Sequence, residues 1–169
     1  MENRVYNFNP GPSTLPLEVL QTAQKELLDY EGTGMSVMEI SHRSPEYDEI
    51  NNQAISLVKN LMGLGDNYHV IFVGGGASTQ FAHIPLNFLP EDKTAAYIDT
   101  GTWSTKAIKE AQNLGNVHLA ASSKDGGYTY VPMGNEIDCP NDAAYLHLTS
   151  NNTINGTQYH EFPDSGSVP

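Results

Sequence analysis

The chain has 169 residues, 38% hydrophobic and 17% charged, with 20 acids against 8 bases and a formal charge of −12. These totals exclude a disordered polyelectrolyte and suit one globular domain with a sizeable core. They also argue against nucleic acid or an anionic membrane as partner, because both select clustered Lys and Arg, and the bases here are scattered.

"NFNPGPSTLP" reads as a loop, since Pro10, Gly11, Pro12 and Pro16 break regular structure. A helix is expected to start near Pro16 with Ser13 or Thr14 near its cap. Val19, Leu20, Ala23, Leu27 and Leu28 keep a helical period, and Glu31–Gly34 ends it. Ser44 then reads as an N-cap, with Pro45 in the first turn and Glu46, Asp48 and Glu49 on the positive end of the dipole. Tyr47, Ile50, Ala54, Leu57, Val58 and Leu61 form one apolar stripe, closed by Gly63 and Gly65. A strand is expected over His69–Val73, then a turn at Gly74–Gly76 and a helix to Phe88. "TAAYIDT" and "VHLAAS" read as strands around a helix in "GTWSTKAIKEAQNLG". "GGYTYVP" reads as a short extended piece, and "AAYLHLTS" as a buried strand running into "NNTINGTQ". Apolar strands separated by helices predict an α/β fold, a mainly parallel sheet flanked by helices with right-handed crossovers.

The lone Cys139 has no partner for an internal disulfide and suits a reducing compartment. "MENRVYNFNPGPS" lacks a signal-peptide core and no stretch suits a bilayer, so a cytoplasmic protein is expected. On that footing, the sequons at Asn151 and Asn155 are read as chance matches. The histidines show no metal-ligand spacing, and no metal is expected.

Ligands of parallel sheets sit at the carboxyl ends of strands. Three such ends, "GGGAST", "DTGTWS" and "TSNNT", are rich in backbone N–H and hydroxyl donors. The glycines permit positive φ and close approach, and Ala77 and Ser78 open the next helix toward an anion. There is no Gly-Lys-Ser/Thr, which removes a nucleoside triphosphate P-loop. Gly74-x-Gly76-x-x-Thr79 departs from the dinucleotide fingerprint at its last position. Alone, a tight turn and a phosphate cradle stand level. Trp103, the single tryptophan, is either a packing anchor or a flat surface for stacking a ring. Arg43 is either a surface partner of the abundant acids or a fork for carboxylate or phosphate. His42 is uninformative alone, and Glu39 stays undecided between buried acid and surface residue. A cradle, a stacking aromatic and a hydroxyl-rich third loop together suit a phosphorylated aromatic cofactor, with pyridoxal phosphate the candidate.

"YNFNPGPSTLP", "GMSVMEISHRS", "GGGASTQFAHIPLNFL", "YIDTGTWSTKAIKEA" and "AAYLHLTSNNTINGTQ" resemble, in order, the phosphoserine aminotransferase family of class V, fold-type I pyridoxal-phosphate enzymes. The resemblance runs along essentially the whole chain but covers only the amino-terminal half, or a little less, of a family member. It implies an N-terminal arm over residues 1–15 and the amino-terminal part of an incomplete PLP-binding large domain over 16–169. It implies that Ala77 and Ser78 hold the cofactor phosphate, Trp103 stacks on the pyridine ring and Thr153 bonds its phenolic oxygen side. Arg43 would bind a substrate carboxylate, with His42 near the substrate phosphate. The implied reaction converts 3-phosphohydroxypyruvate and glutamate to O-phosphoserine and 2-oxoglutarate in L-serine biosynthesis, with a vitamin B6 pathway analogue in some members. The family implies a homodimer. Some members carry arginine at the place of Ser78, so His42 and Arg43, or groups beyond this chain, take more of the phosphate here.

Transamination needs a Schiff-base lysine. In the family it lies beyond a "PD-x-GSVP" segment, where this chain reaches Pro169. Lys25, Lys59, Lys106 and Lys109 fall in expected helices, Lys93 in a turn and Lys124 in a polar loop. The expectation is therefore a catalytically incomplete fragment with uncovered sheet edges and apolar faces. The alternatives are a non-catalytic α/β phosphate-ligand binding module and an oligomerising fragment.

Overall fold

The computed structural model describes residues 4–9 and 13–169. The loop expected at Pro10, Gly11 and Pro12 lies outside the described residues. The chain divides into two compact units, the first ending at Phe72 and the second running from Val73 to Pro169.

The first unit carries α1 (Leu17–Glu26) and α2 (Pro45–Met62). Neither Ser13 nor Thr14 caps α1: its N-cap is Pro16, without a side-chain bond. The Thr14 hydroxyl is turned to the carbonyl of Asn7, at 2.9 Å. α1 is also shorter than its apolar period, because the Glu26 carbonyl accepts from Val37 N at 3.2 Å instead of continuing the helix. Glu31 (φ 49°), Gly32 and Gly34 then reverse the chain, as expected. α2 matches its sequence signals. Ser44 Oγ accepts from Tyr47 N at 3.3 Å, Pro45 fills the first turn, and Gly63 closes the helix at φ 64°. Replacing Ser44 with alanine should cost about 1 kcal/mol, read from chemical denaturation followed by helical circular dichroism. The apolar stripe of α2 is uncovered: Leu61 is 86% exposed, and neither helix buries a residue.

The strand expected over His69–Val73 does not form. Ile71, Phe72 and Val73 are exposed, and among the described residues no strand supplies a ladder for their backbone groups.

The second unit is built on a sheet of β1 (Thr94–Asp99), β2 (Asn116–Ser122) and β3 (Leu146–His147), ordered β2-β1-β3 and parallel throughout. β1 is central and buried on both faces, which explains its unbroken apolar run. One face packs Ala96 and Ile98 against Ala120, Ala121, Ala143 and Val168. The other packs Ala95 and Tyr97 against Ala107 and Ala111 of α4 (Thr102–Gln112) and against Tyr145. Phe81, Ile84 and Leu89, from α3 (Gly76–Phe88) and its end, join that second face. Tyr97 and Tyr145 share a hydroxyl bond of 2.9 Å, and Tyr97 stacks on His147 with ring centroids 4.7 Å apart. "GGYTYVP" is not extended: a 3-10 turn at Lys124–Gly126 leads into Tyr128 at φ 58°. "AAYLHLTS" is regular strand only at β3, although Ala144 N also donates to Thr94 O and Ala96 N to Tyr145 O, each at 2.9 Å, and a short antiparallel hairpin, β4 (Asn151–Asn152) with β5 (Thr157–Gln158), follows it.

Candidate functional site

The glycine turn forms as its composition requires. Gly75 and Gly76 take φ of 91° and 62°, and a Cβ on Gly75 would collide with the Thr79 side chain. Thr79 Oγ1 donates to Gly75 O at 2.7 Å and locks the turn. Among the described residues no side chain caps α3, whose first N–H groups lie at the positive end of the dipole. Ala77 and Ser78 lie there, both exposed. This is a donor set open to an anion.

The end of β1 is more elaborate. The buried Asp99 carboxylate accepts from Ser104 Oγ, Thr105 Oγ1 and Tyr128 OH, each at 3.0 Å. Ser104 Oγ also receives Thr100 N at 2.8 Å. Asp99 thus ties the strand to the first turn of α4, and the positive φ of Tyr128 is what its reach to Asp99 goes with. Burial, chiefly, pushes the Tyr128 phenol above its usual range. The polar network holds α4 rigidly on the end of β1.

Trp103 stands on that first turn, half-buried. Its Nε1–H donates to Thr153 Oγ1 at 2.9 Å, and Lys106 Nζ sits 4.6 Å from its ring centroid. The structure therefore brings Trp103 and Thr153 together, two residues 50 apart in sequence. One face of the indole carries the Lys106 ammonium. Around this pair, Asn152 Nδ2 donates to Thr100 Oγ1 at 3.0 Å, and Asn155 Oδ1 accepts from Thr102 N at 3.3 Å. Asn152 is 1% exposed, and its Oδ1 has no partner. From sequence, Asn152 falls in a donor-rich strand end, Asn155 in a sequon and Lys106 in a helix, with no role at the site for any of them. Asn155-Gly156 is a hairpin-turn dipeptide, the signal that could have marked the two asparagines.

His42 and Arg43 belong to the first unit, on the turn before α2, and both are exposed. Arg43 makes no ion pair among the described residues. Glu39 is neither a buried acid nor idle: its Oε2 accepts from Ser36 N at 3.0 Å and fastens a turn. Burial raises the Cys139 thiol, with Asp138 adding to it, which disfavours the thiolate. Among the described residues no group of three or more side chains is arranged to hold a metal, and no helix is long and apolar enough to cross a membrane.

The family profile "Aminotransferase class-V" matches residues 5–168. A phosphoserine aminotransferase of Desulfatibacillum aliphaticivorans is 57% identical over 170 residues, covering 100% of this chain and 46% of that protein. The solved structure of phosphoserine aminotransferase from Bacillus circulans subsp. alkalophilus superposes with a TM-score of 0.91 at 54% identity, covering 98% of this chain and 46% of its own. A PLP-bound phosphoserine aminotransferase from Trichomonas vaginalis gives a TM-score of 0.85 at 37% identity, covering 95% of this chain and 46% of its own. The chain thus spans about half the length of the relatives it matches.

Proposed function

Because this chain belongs to the class-V aminotransferase family, we propose that it is the amino-terminal part of a phosphoserine aminotransferase that binds pyridoxal 5'-phosphate. The reaction is amino transfer between glutamate and 3-phosphohydroxypyruvate. The observation that carries the reading is the bond from Trp103 Nε1 to Thr153 Oγ1, which holds a flat ring at the carboxyl ends of a parallel sheet.

The residues fit the cofactor. The uncapped first turn of α3 offers N–H groups at Ala77 and Ser78, with the Ser78 hydroxyl, to a phosphate. Trp103 offers an indole face to the pyridine ring, and the hydroxyl of Thr153 stands beside it. When bound, the cofactor supplies the electron sink for moving an amino group. Arg43 gives a guanidinium fork for the glutamate carboxylate, with His42 beside it for the substrate phosphate. The Schiff-base lysine belongs to sequence outside these residues, so this chain alone is inactive. Its setting in the whole protein is a cytoplasmic homodimer, with residues 16–169 forming part of the large domain. Resemblance alone supports those last points.

Trp103 is the single tryptophan, so its fluorescence reports on the site. Pyridoxal 5'-phosphate added to the chain should quench it saturably, while free phosphate should compete without quenching. In Trp103→Ala, retention of the cofactor, read by its own absorbance, should fall about tenfold. Unsaturable quenching, or equal retention in the variant, would remove the assignment. In a protein of the relatives' full length, Arg43→Ala should raise KM for glutamate about tenfold or more with kcat less affected.

A further inference from the structure

We propose that the β4–β5 hairpin is a clasp that sets the attitude of the Trp103 indole, with Asn155 and Asn152 as its positioning residues. The clasp rests on the preceding reading only for its purpose, since the ring it orients is the one assigned to the cofactor.

The second residue of a helix at an open strand end has little to fix its side chain. Trp103 has two restraints, the bond to Thr153 and the ammonium of Lys106. Thr153 is the first residue of the loop between β4 and β5, and two-residue strands do not hold a hairpin by themselves. What fixes Thr153 is the pair of asparagines on either side of it. Asn152 reaches Thr100 and Asn155 reaches Thr102, so three bonds cross between residues 100–103 and 152–155. The bond from Thr102 N matters for a second reason. The N-cap of α4 is Gly101, which has no side chain to cap it, and Thr102 N is one of the first-turn donors without an intrahelical partner. Asn155 supplies that donor with a capping acceptor from 53 residues away. Gly156, at φ 81°, donates its N–H to Asn152 O at 2.7 Å and closes the loop that presents Asn155. Gly101 completes the fit, because a Cβ there would stand 2.5 Å from Asn155 Oδ1 and 2.8 Å from Asn152 Oδ1. Asn152 is buried with one amide oxygen unpartnered, so it is held for where it places the hairpin rather than for full hydrogen bonding.

A single tryptophan gives a single indole N–H resonance in the nitrogen-15-labelled chain. In the wild type it should lie away from the random-coil position and exchange slowly with solvent. Thr153→Val and Asn155→Ala should both move it toward random coil and speed its exchange about tenfold. Asn155→Asp keeps the acceptor for Thr102 N and should return the wild-type resonance. Asn155→Gln, which lengthens the reach by one methylene and keeps the amide, should shift the resonance part of the way even if the alanine variant does not fold. A wild-type indole at the random-coil position would overturn the clasp, as would Asn155→Ala and Asn155→Gln both leaving the resonance in place. Pyridoxal 5'-phosphate separates the two readings. A clasped indole in a chain that takes up none of it sinks the cofactor reading and keeps the clasp. Uptake that is unchanged in Asn155→Ala, with an unmoved resonance, sinks the clasp and keeps the cofactor reading.

Discussion

Replacing Gly101 with alanine is expected to lower the stability of the second unit by about 3 kcal/mol. Two independent costs add. The first is conformational: Gly101 sits at φ 153° and ψ −168°, a region that is essentially glycine's own, and a side chain there is strained by roughly 1–3 kcal/mol. The second is crowding, since the new Cβ would meet the side-chain oxygens of Asn155 at 2.5 Å and Asn152 at 2.8 Å. The Asn152 oxygen belongs to a residue 1% exposed and tied to Thr100, so it has no room to retreat. Gly127 is the control. It has a φ of 68° but nothing within 4 Å of an added Cβ, so alanine there meets the backbone cost alone, about 1 kcal/mol. Urea denaturation of both variants, followed by circular dichroism of the sheet, gives the comparison. Equal losses at the two glycines would show that the packing of the hairpin on the start of α4 costs nothing.

The contrast between elements that formed as read and those that did not follows the range of the interactions involved. Ser44-Pro45 and Gly63 mark α2 because a cap and a left-handed turn are decided within four residues. "TAAYIDT" read as a buried strand because both its faces are covered inside this chain, by Ala107 and Ala111 on one side and Val168 on the other. "HVIFV" carries an equally strong strand signal and remains unpaired, because pairing depends on a neighbour that local composition does not record. The stripe on α2 was legible as a stripe, but its partner was not, and Leu57 and Leu61 stand in solvent. At the site the division is the same. The donor-rich strand ends that carry the glycines, Trp103 and Thr153 are legible by residue type, while the roles expected of these residues rest on reading them together and on the resemblance. The bond between Trp103 and Thr153, and the asparagines that support it, depend on the fold bringing together residues about 50 apart.

His147 should make the second unit sensitive to pH below neutrality. Burial holds its imidazole down to about 4, from an ordinary 6.5. Its Nδ1 is buried without a partner, and its ring lies against Tyr97, whose own hydroxyl is engaged by Tyr145. A backbone hydrogen bond within the residue itself pulls the other way, and burial outweighs it. The unfolded chain therefore binds a proton on this residue at higher pH than the folded one. Stability from this source is complete above about 6.5, falls as the pH drops toward 4, and levels off below it. The two ends differ by about 3 kcal/mol. Carboxylates also titrate in that range, so the comparison is with His147→Phe, which keeps a flat ring against Tyr97 and removes the titrating nitrogen. The stability difference between wild type and variant, from urea denaturation at a series of pH values, should shift toward the variant by that amount between pH 7 and 4. Two curves that run parallel across the window would mean that His147 is protonated as easily folded as unfolded, and that the Tyr97 face is wetter than its packing implies.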